Sequence, residues 1–122
     1  MPDHDPQMLK GALGLLLLQL LSDQEDYGYA VVVRLQENGF HDLAEGTVYP
    51  ALARLESQGL LEARLVRSSS GPARKYYRPT PAGLTERDQA GQRWHRLVTA
   101  VAGIVPGPPT VDENPPPERT SR

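Results

Sequence analysis

Residues 45–61, Glu45-Gly46-Thr47-Val48-Tyr49-Pro50-Ala51-Leu52-Ala53-Arg54-Leu55-Glu56-Ser57-Gln58-Gly59-Leu60-Leu61, hold one helix together with its start and stop signals. Thr47 reads as an N-cap, and Pro50 then falls on the third helical position, where its missing N–H removes no intrahelical hydrogen bond. Val48, Leu52 and Leu55, with Ala51, recur at spacings of three and four and form one apolar stripe. Gly59 stands where a left-handed residue commonly ends a helix. From Leu60 to Ser68 the period changes to two: Leu61, Ala63 and Leu65 alternate with Glu62, Arg64 and Val66, as in a half-exposed strand. Ser68-Ser69-Ser70-Gly71-Pro72 reads as a five-residue turn and Arg74-Lys75-Tyr76-Tyr77-Arg78-Pro79 as the returning strand, so this helix feeds a β-hairpin. Tyr76 and Tyr77 point to opposite faces of that strand, and at least one belongs in the core.

Downstream, Thr80-Pro81 is an N-cap followed by proline at the first helical position, and the next break is Pro106. On this last helix Leu84, Gly91, Val98 and Val105 share one heptad position and Arg87, Trp94 and Val101 the other, with Leu97 and Ile104 widening the stripe. So small a domain has too little surface to cover that stripe, which predicts burial against a second copy. Upstream, Ala12 to Leu21 (ALGLLLLQLL) is apolar on every side yet well short of the ~20 residues that span a bilayer, so a buried helix is predicted. Ser22 to Asp26 makes a polar turn. A second helix runs from about Gly28 to Asn38 with Ala30, Val31, Val33 and Leu35 inward, and Asn38-Gly39 ends it. The expected plan is a disordered N-terminus over 1–6, a folded unit over 7–80, a long helix over 81–105, and a disordered tail over 106–122, where six of the 12 prolines crowd into 17 residues.

The 122 residues include no cysteine, which excludes disulfides, thiolate metal sites and a cysteine nucleophile. Three histidines, His4, His41 and His95, lie scattered without ligand spacing, so no metal or other cofactor is expected. No nucleophile with an oriented base, carboxylate pair or phosphate-cradling glycine loop is visible, which speaks against an enzyme. No targeting or spanning segment is seen, and a cytoplasmic protein is expected. The net charge of −2 argues at first against a nucleic-acid partner. Partitioned along the chain, however, residues 1–43 carry −5 and residues 44–96 carry +4, and Ala63 to Thr80 holds five cations and no acid.

Three helices, a hairpin and a trailing helix are the order of a winged helix-turn-helix protein: mainly α with a two-stranded β wing, plus a long C-terminal dimerisation helix. That arrangement suits DNA, with a helix N-terminus in the major groove and the wing on the flanking backbone. Met8-Leu9-Lys10-Gly11, Tyr27-Gly28-Tyr29-Ala30, Glu45-Gly46-Thr47-Val48-Tyr49-Pro50-Ala51-Leu52, Arg54-Leu55-Glu56, Gly59-Leu60-Leu61, Arg74-Lys75-Tyr76-Tyr77-Arg78 and Thr80-Pro81-Ala82-Gly83 together resemble the PadR-type transcriptional regulators, in the branch with a single C-terminal helix. The resemblance spans about residues 8–105. It implies a homodimeric repressor of a palindromic promoter site, its own or a neighbour's, released by a small effector.

Carried over by position, the resemblance implies that Thr47 and Tyr49 face DNA. Arg54 reads equally as a DNA contact or a solvated surface residue, and Tyr29 equally as a phosphate contact or a tyrosine packed at the helix start. Arg74 and Lys75 are the wing's backbone contacts, helped by Arg67 and Gly71. The wing turn departs from many relatives in being serine-rich. Leu84, Gly91, Trp94, Leu97, Val98, Val101 and Ile104 form the expected dimer face. The position of Trp94 resembles that of a tryptophan in multidrug-responsive members of the family. There it walls a pore for flat aromatic compounds, which would place Leu9, Ala12 or Leu13 beside it; a plain interface anchor is the competing reading. The rival to DNA binding as a whole is a winged-helix module that binds protein, since fold alone does not fix function.

Overall fold

The computed structural model describes residues 4–108. Helix α1 (Pro6–Asp23) leads into a two-residue strand β1 (Asp26–Tyr27), helices α2 (Gly28–Glu37) and α3 (Glu45–Ser57), strands β2 (Leu61–Ser68) and β3 (Gly71–Pro79), and helix α4 (Pro81–Ala102). The core forms where α1, α2 and α3 meet the base of the hairpin: Leu13, Leu17, Leu18 and Leu21 of α1 pack with Val31, Val32, Leu35, Val48, Leu52 and Leu61, and Tyr77 closes one edge. On α2 it is Val32, not Val33, that joins Val31 and Leu35 in the core. Gly39 and Gly59 both adopt positive φ, at +99° and +77°, ending α2 and α3 as the sequence predicts.

Several expectations are corrected. The sheet has three strands, in the order β1-β3-β2, not two. Asp26 pairs with Tyr77 and Tyr27 with Tyr76, so the segment read as a plain polar turn ends in a strand that fastens the wing to the helices. Two residues are too few to show a period, which is why this strand is silent in the sequence. The α3 N-cap is Ala44, not Thr47: the N–H groups of Thr47 and Val48 both donate to the Ala44 carbonyl at 3.0 Å, and buried Leu43 pins the chain just ahead. Pro50 therefore lies inside α3, where it deprives the exposed Gly46 carbonyl of its helical donor. The wing turn is shorter than five residues, with Ser68 facing Gly71 and a register shift between Val66 and Ser68. On β2 the alternation holds only while there is core beneath it, and Leu65, expected inward, is 73% exposed. Of the N-terminal segment 1–6, residues 1–3 lie outside the described residues, while His4 Nε2 donates to the Gly39 carbonyl at 3.0 Å, Asp5 caps α1, and Pro6 is the first residue of α1. Residues 109–122, most of the expected tail, lie outside the described residues.

One polar cluster locks the helices together. The Arg34 guanidinium donates to the Leu20 carbonyl at 2.7 Å, the Gln24 carbonyl at 3.1 Å and Asp26 Oδ2 at 3.3 Å, so it joins the Gln24 N–H on the Leu20 carbonyl, ties down the C-cap residue of α1 and pairs a carboxylate that is only 8% exposed. Removing one partner of such a pair strands the other. Arg34→Ala is expected to cost about 3 kcal/mol, a fall in Tm of roughly 12–24 °C by thermal denaturation. Asp26→Asn, which keeps an acceptor for Arg34, should cost much less.

α4 starts as predicted, Thr80 Oγ1 accepting from the Gly83 N–H at 3.0 Å. Its Arg87, assigned to the stripe from the heptad pattern, instead donates to Ser22 Oγ at the end of α1 at 2.9 Å. Toward its far end the apolar stripe is open: Trp94, Leu97, Val98 and Val101, with Ile104 just past the helix, are between 45% and 86% exposed.

Candidate nucleic-acid interface

Helices α2 and α3 and the β2–β3 wing present one continuous surface. A groove of about 310 Å³ at the junction is lined by Tyr27, Gly28, Tyr29, Tyr49, Arg74, Lys75 and Tyr77, so four of the eight sequence-selected residues, Tyr29, Tyr49, Arg74 and Lys75, come together in space. Gly28 makes this possible: a Cβ there would stand 2.8 Å from the Tyr49 ring. The Tyr49 hydroxyl donates to Glu45 at 3.3 Å. Burial, seconded by the Glu45 charge, pushes its pKa up, so it remains a protonated donor through the physiological range. α2 and α3 begin without a side-chain cap, whereas α1 and α4 are capped by Asp5 and Thr80. No side chain of the protein therefore occupies the first-turn N–H groups of the two helices on this surface, although the Thr47 N–H is already taken by the Ala44 carbonyl.

The rows of α3 divide the labour. Val48, Leu52 and Leu55 are buried, while Gly46, Pro50, Ala53 and Ser57, spaced three and four apart, are exposed. That outward row carries only small side chains, so the helix can seat deeply in a groove. The sequence contains this row at helical spacing, but only the position of the core shows that it faces out. Thr47 and Arg54 sit on the flank away from Tyr49, in a separate cavity shared with α1. Arg67 and Gly71 lie at the exposed end of the wing.

The charge pattern is less free than the sequence implies. Of the five wing cations, Arg64 is held by Glu25 at 2.8 Å, Lys75 by Glu56 at 3.0 Å and Arg78 by Glu62 at 2.7 Å. The Arg74 guanidinium lies 4.5 Å from the centre of the Tyr27 ring. The paired acids come from outside the acid-free segment, so a window along the chain cannot show them. The hydrogen bond from Arg64 holds the Glu25 carboxyl below its ordinary range. A depressed carboxyl contributes stability above the ordinary carboxylate range and loses it as pH falls through the lowered value; on so exposed a pair the contribution is small.

Lys75 must exchange Glu56 for a phosphate to contact DNA. Glu56→Gln removes the competitor and one repelling charge. It is expected to strengthen binding to a scrambled duplex about two- to fivefold at low salt while moving Tm by no more than a few degrees, as befits an exposed pair; fluorescence anisotropy and thermal melting read the two quantities.

This fold defines a winged helix-turn-helix protein. The model of the transcriptional regulator PadR-like family matches residues 17–89. The chain is 41% identical over 94 residues to transcriptional regulator Rv3488 of Mycobacterium tuberculosis, covering 73% of this chain and 84% of that protein. A crystal structure of a PadR-like transcriptional regulator from Bacillus cereus superposes with a TM-score of 0.75 at 39% identity, covering 84% of this chain and 99% of the other. A PadR family regulator from Eggerthella lenta gives 0.74 at 37% identity, covering 80% and 85%. The chain belongs to the PadR-like family of transcriptional regulators, not to a family of enzymes. Among the described residues no helix is long and apolar enough to cross a membrane.

Proposed function

We propose that this regulator is a homodimeric, sequence-specific repressor that binds a palindromic site in its own or a neighbouring promoter. The observation that carries this reading is the joint surface of the small-residue row of α3 and the Tyr29–Tyr49–Arg74–Lys75 groove. The first can enter a major groove and the second can hold the adjacent backbone. Dimerisation is supported by the far half of α4 and the turn after it, where Leu97, Val98, Val101 and Ile104 leave a run of apolar side chains open to solvent.

The test is an anisotropy titration of the gene's upstream duplex against a scrambled one. Lys75→Ala should weaken binding to both and flatten the log-log salt slope by about one, whereas Tyr49→Ala should mainly erode discrimination between them. Equal affinity of the parent protein for the two duplexes would leave the protein-binding alternative in place.

Release by a flat aromatic effector is part of the proposal. Trp94 shares a groove of about 300 Å³ with Gly11, Ala12, Gly14, Leu15 and Leu18 of α1. Ala12 lines this groove with Trp94, while Leu9 and Leu13 line the neighbouring cavity beside α3. Quenching of Trp94 fluorescence by planar aromatic dyes, with loss of DNA binding at the same dye concentrations, is the expected result.

A further inference from the structure

A cavity of about 570 Å³ lies between the first turns of α1 and the flank of α3 that faces away from the wing. Its floor is apolar, from Leu9, Leu13, Leu43, Ala51 and Leu55. Its rim carries Lys10, Thr47 and Arg54, with Asp42 as the one carboxylate. Among the described residues, neither Lys10 nor Arg54 enters an ion pair or a side-chain hydrogen bond, in contrast to Arg64, Lys75 and Arg78 on the wing. No residue of α4 lines this cavity, so the chain's own last helix does not fill it. Thr47 lies in the first turn and Arg54 two turns further along the helix whose outward row carries only small side chains, so the rim adjoins the surface assigned above to DNA.

We infer that this rim is a second seat for the DNA backbone, in which Lys10, with Arg54 and the Thr47 hydroxyl, holds a phosphate on the side of α3 opposite the wing. The inference rests on the DNA-binding reading and extends it to α1, which that reading leaves without a role on DNA. Two cations without intramolecular partners are the groups with most to gain from a phosphate, since no internal pair has to be broken first. The net charge of the rim, with Asp42 included, is still positive. A grip on both flanks would fix the roll of α3 in the groove, which one wing alone leaves free. Lys10 is a positioning contact in this scheme and reads no base.

The composition of the chain supplies the test. Lys10 and Lys75 are its only lysines, one on each proposed flank. Amine acetylation of the full-length protein, with and without the upstream duplex and read by mass spectrometry of the two peptides, reports each flank separately. Protection of both lysines by the duplex is expected, about fivefold or more at each site. Protection of Lys75 alone overturns the second seat while leaving DNA binding intact, and protection of neither overturns the DNA reading itself. A Lys10 that is already unreactive without DNA overturns the seat as well, because the cavity is then occupied by something else, such as a second copy.

In binding, Lys10→Gln should weaken both operator and scrambled duplexes about fivefold at low salt and reduce the salt slope by about one, with Tm unchanged and Lys10→Arg restoring both. An unaltered slope in Lys10→Gln would count against the seat even if affinity fell.

Discussion

An Ala53→Glu protein is expected to bind its operator about 100-fold or more weakly than the parent and to melt within about 3 °C of it. Ala53 lies at the middle of the exposed row Gly46, Pro50, Ala53 and Ser57, on the side of α3 opposite Val48, Leu52 and Leu55. Glutamate is a good helix former, so on an exposed helical position it costs a few tenths of a kcal/mol at most relative to alanine. On DNA the same side chain must either lose its water without a donor in reach or hold the helix out of the groove. Either outcome costs on the order of 3 kcal/mol, which is two decades in affinity. Because the carboxylate opposes phosphates on any sequence, binding to scrambled DNA should fall too. Full operator binding by Ala53→Glu would mean that α3 does not enter the groove with this row.

Gly83→Ala has its expected effect on stability. The Gly59–Leu60 turn and the start of α4 meet at van der Waals distance: Thr80 N–H donates to the Leu60 carbonyl at 3.1 Å, Thr80 Oγ1 donates to the Gly59 carbonyl at 2.6 Å, and Gly83 N–H donates back to Thr80 Oγ1 at 3.0 Å. A Cβ on Gly83 would collide with the Leu60 carbonyl oxygen, with the Pro79 side chain 3.3 Å away on another side. Backbone cannot swing aside as a side-chain end can, so the first turn of α4 must lift and give up hydrogen bonds. A loss of about 3 kcal/mol is expected, or roughly 12–24 °C in Tm. Gly11→Ala is the contrast: within a helix, with nothing within 4 Å of its Cβ, it should gain about 0.5–1 kcal/mol. If Gly83→Ala melts with the parent, the close approach of α4 to the Leu60 turn is not a feature of the protein in solution. Since this turn sets the direction in which α4 leaves the domain, Gly83→Ala should also weaken any dimer that α4 forms, which sedimentation reads independently of Tm.

The order of helices and hairpin was legible because each element carries a local mark: the stripe Val48, Leu52 and Leu55, the stops at Gly39 and Gly59, the cap at Thr80. The start of α3 was misplaced because Thr47 and Pro50 suit a first turn so well. Tertiary anchoring by Leu43 overrides that local preference and starts the helix at Glu45. Leu65 was misassigned for a related reason: alternation continues along a strand after the core beneath it has ended. Of the groove in the candidate site, the sequence names Tyr29, Tyr49, Arg74 and Lys75 but neither Tyr27, Gly28 and Tyr77, which also line it, nor the separation of these residues from Thr47 and Arg54. On a helix, positions 47 and 49 lie on opposite sides, and only the location of the core tells which neighbours each side meets.

By itself, then, the sequence determined the four helices and the hairpin, their order and the basic segment, though not the short strand β1, because periodicity, caps and glycine stops act within a few residues of one another. Only the tertiary structure decided which cations are free. Glu25, Glu56 and Glu62 reach Arg64, Lys75 and Arg78 across 39, 19 and 16 residues of chain, and Coulomb attraction depends on distance in space, not on separation in sequence. The same folding leaves Lys10, remote from the basic segment in the chain, beside Arg54 and without an acid of its own.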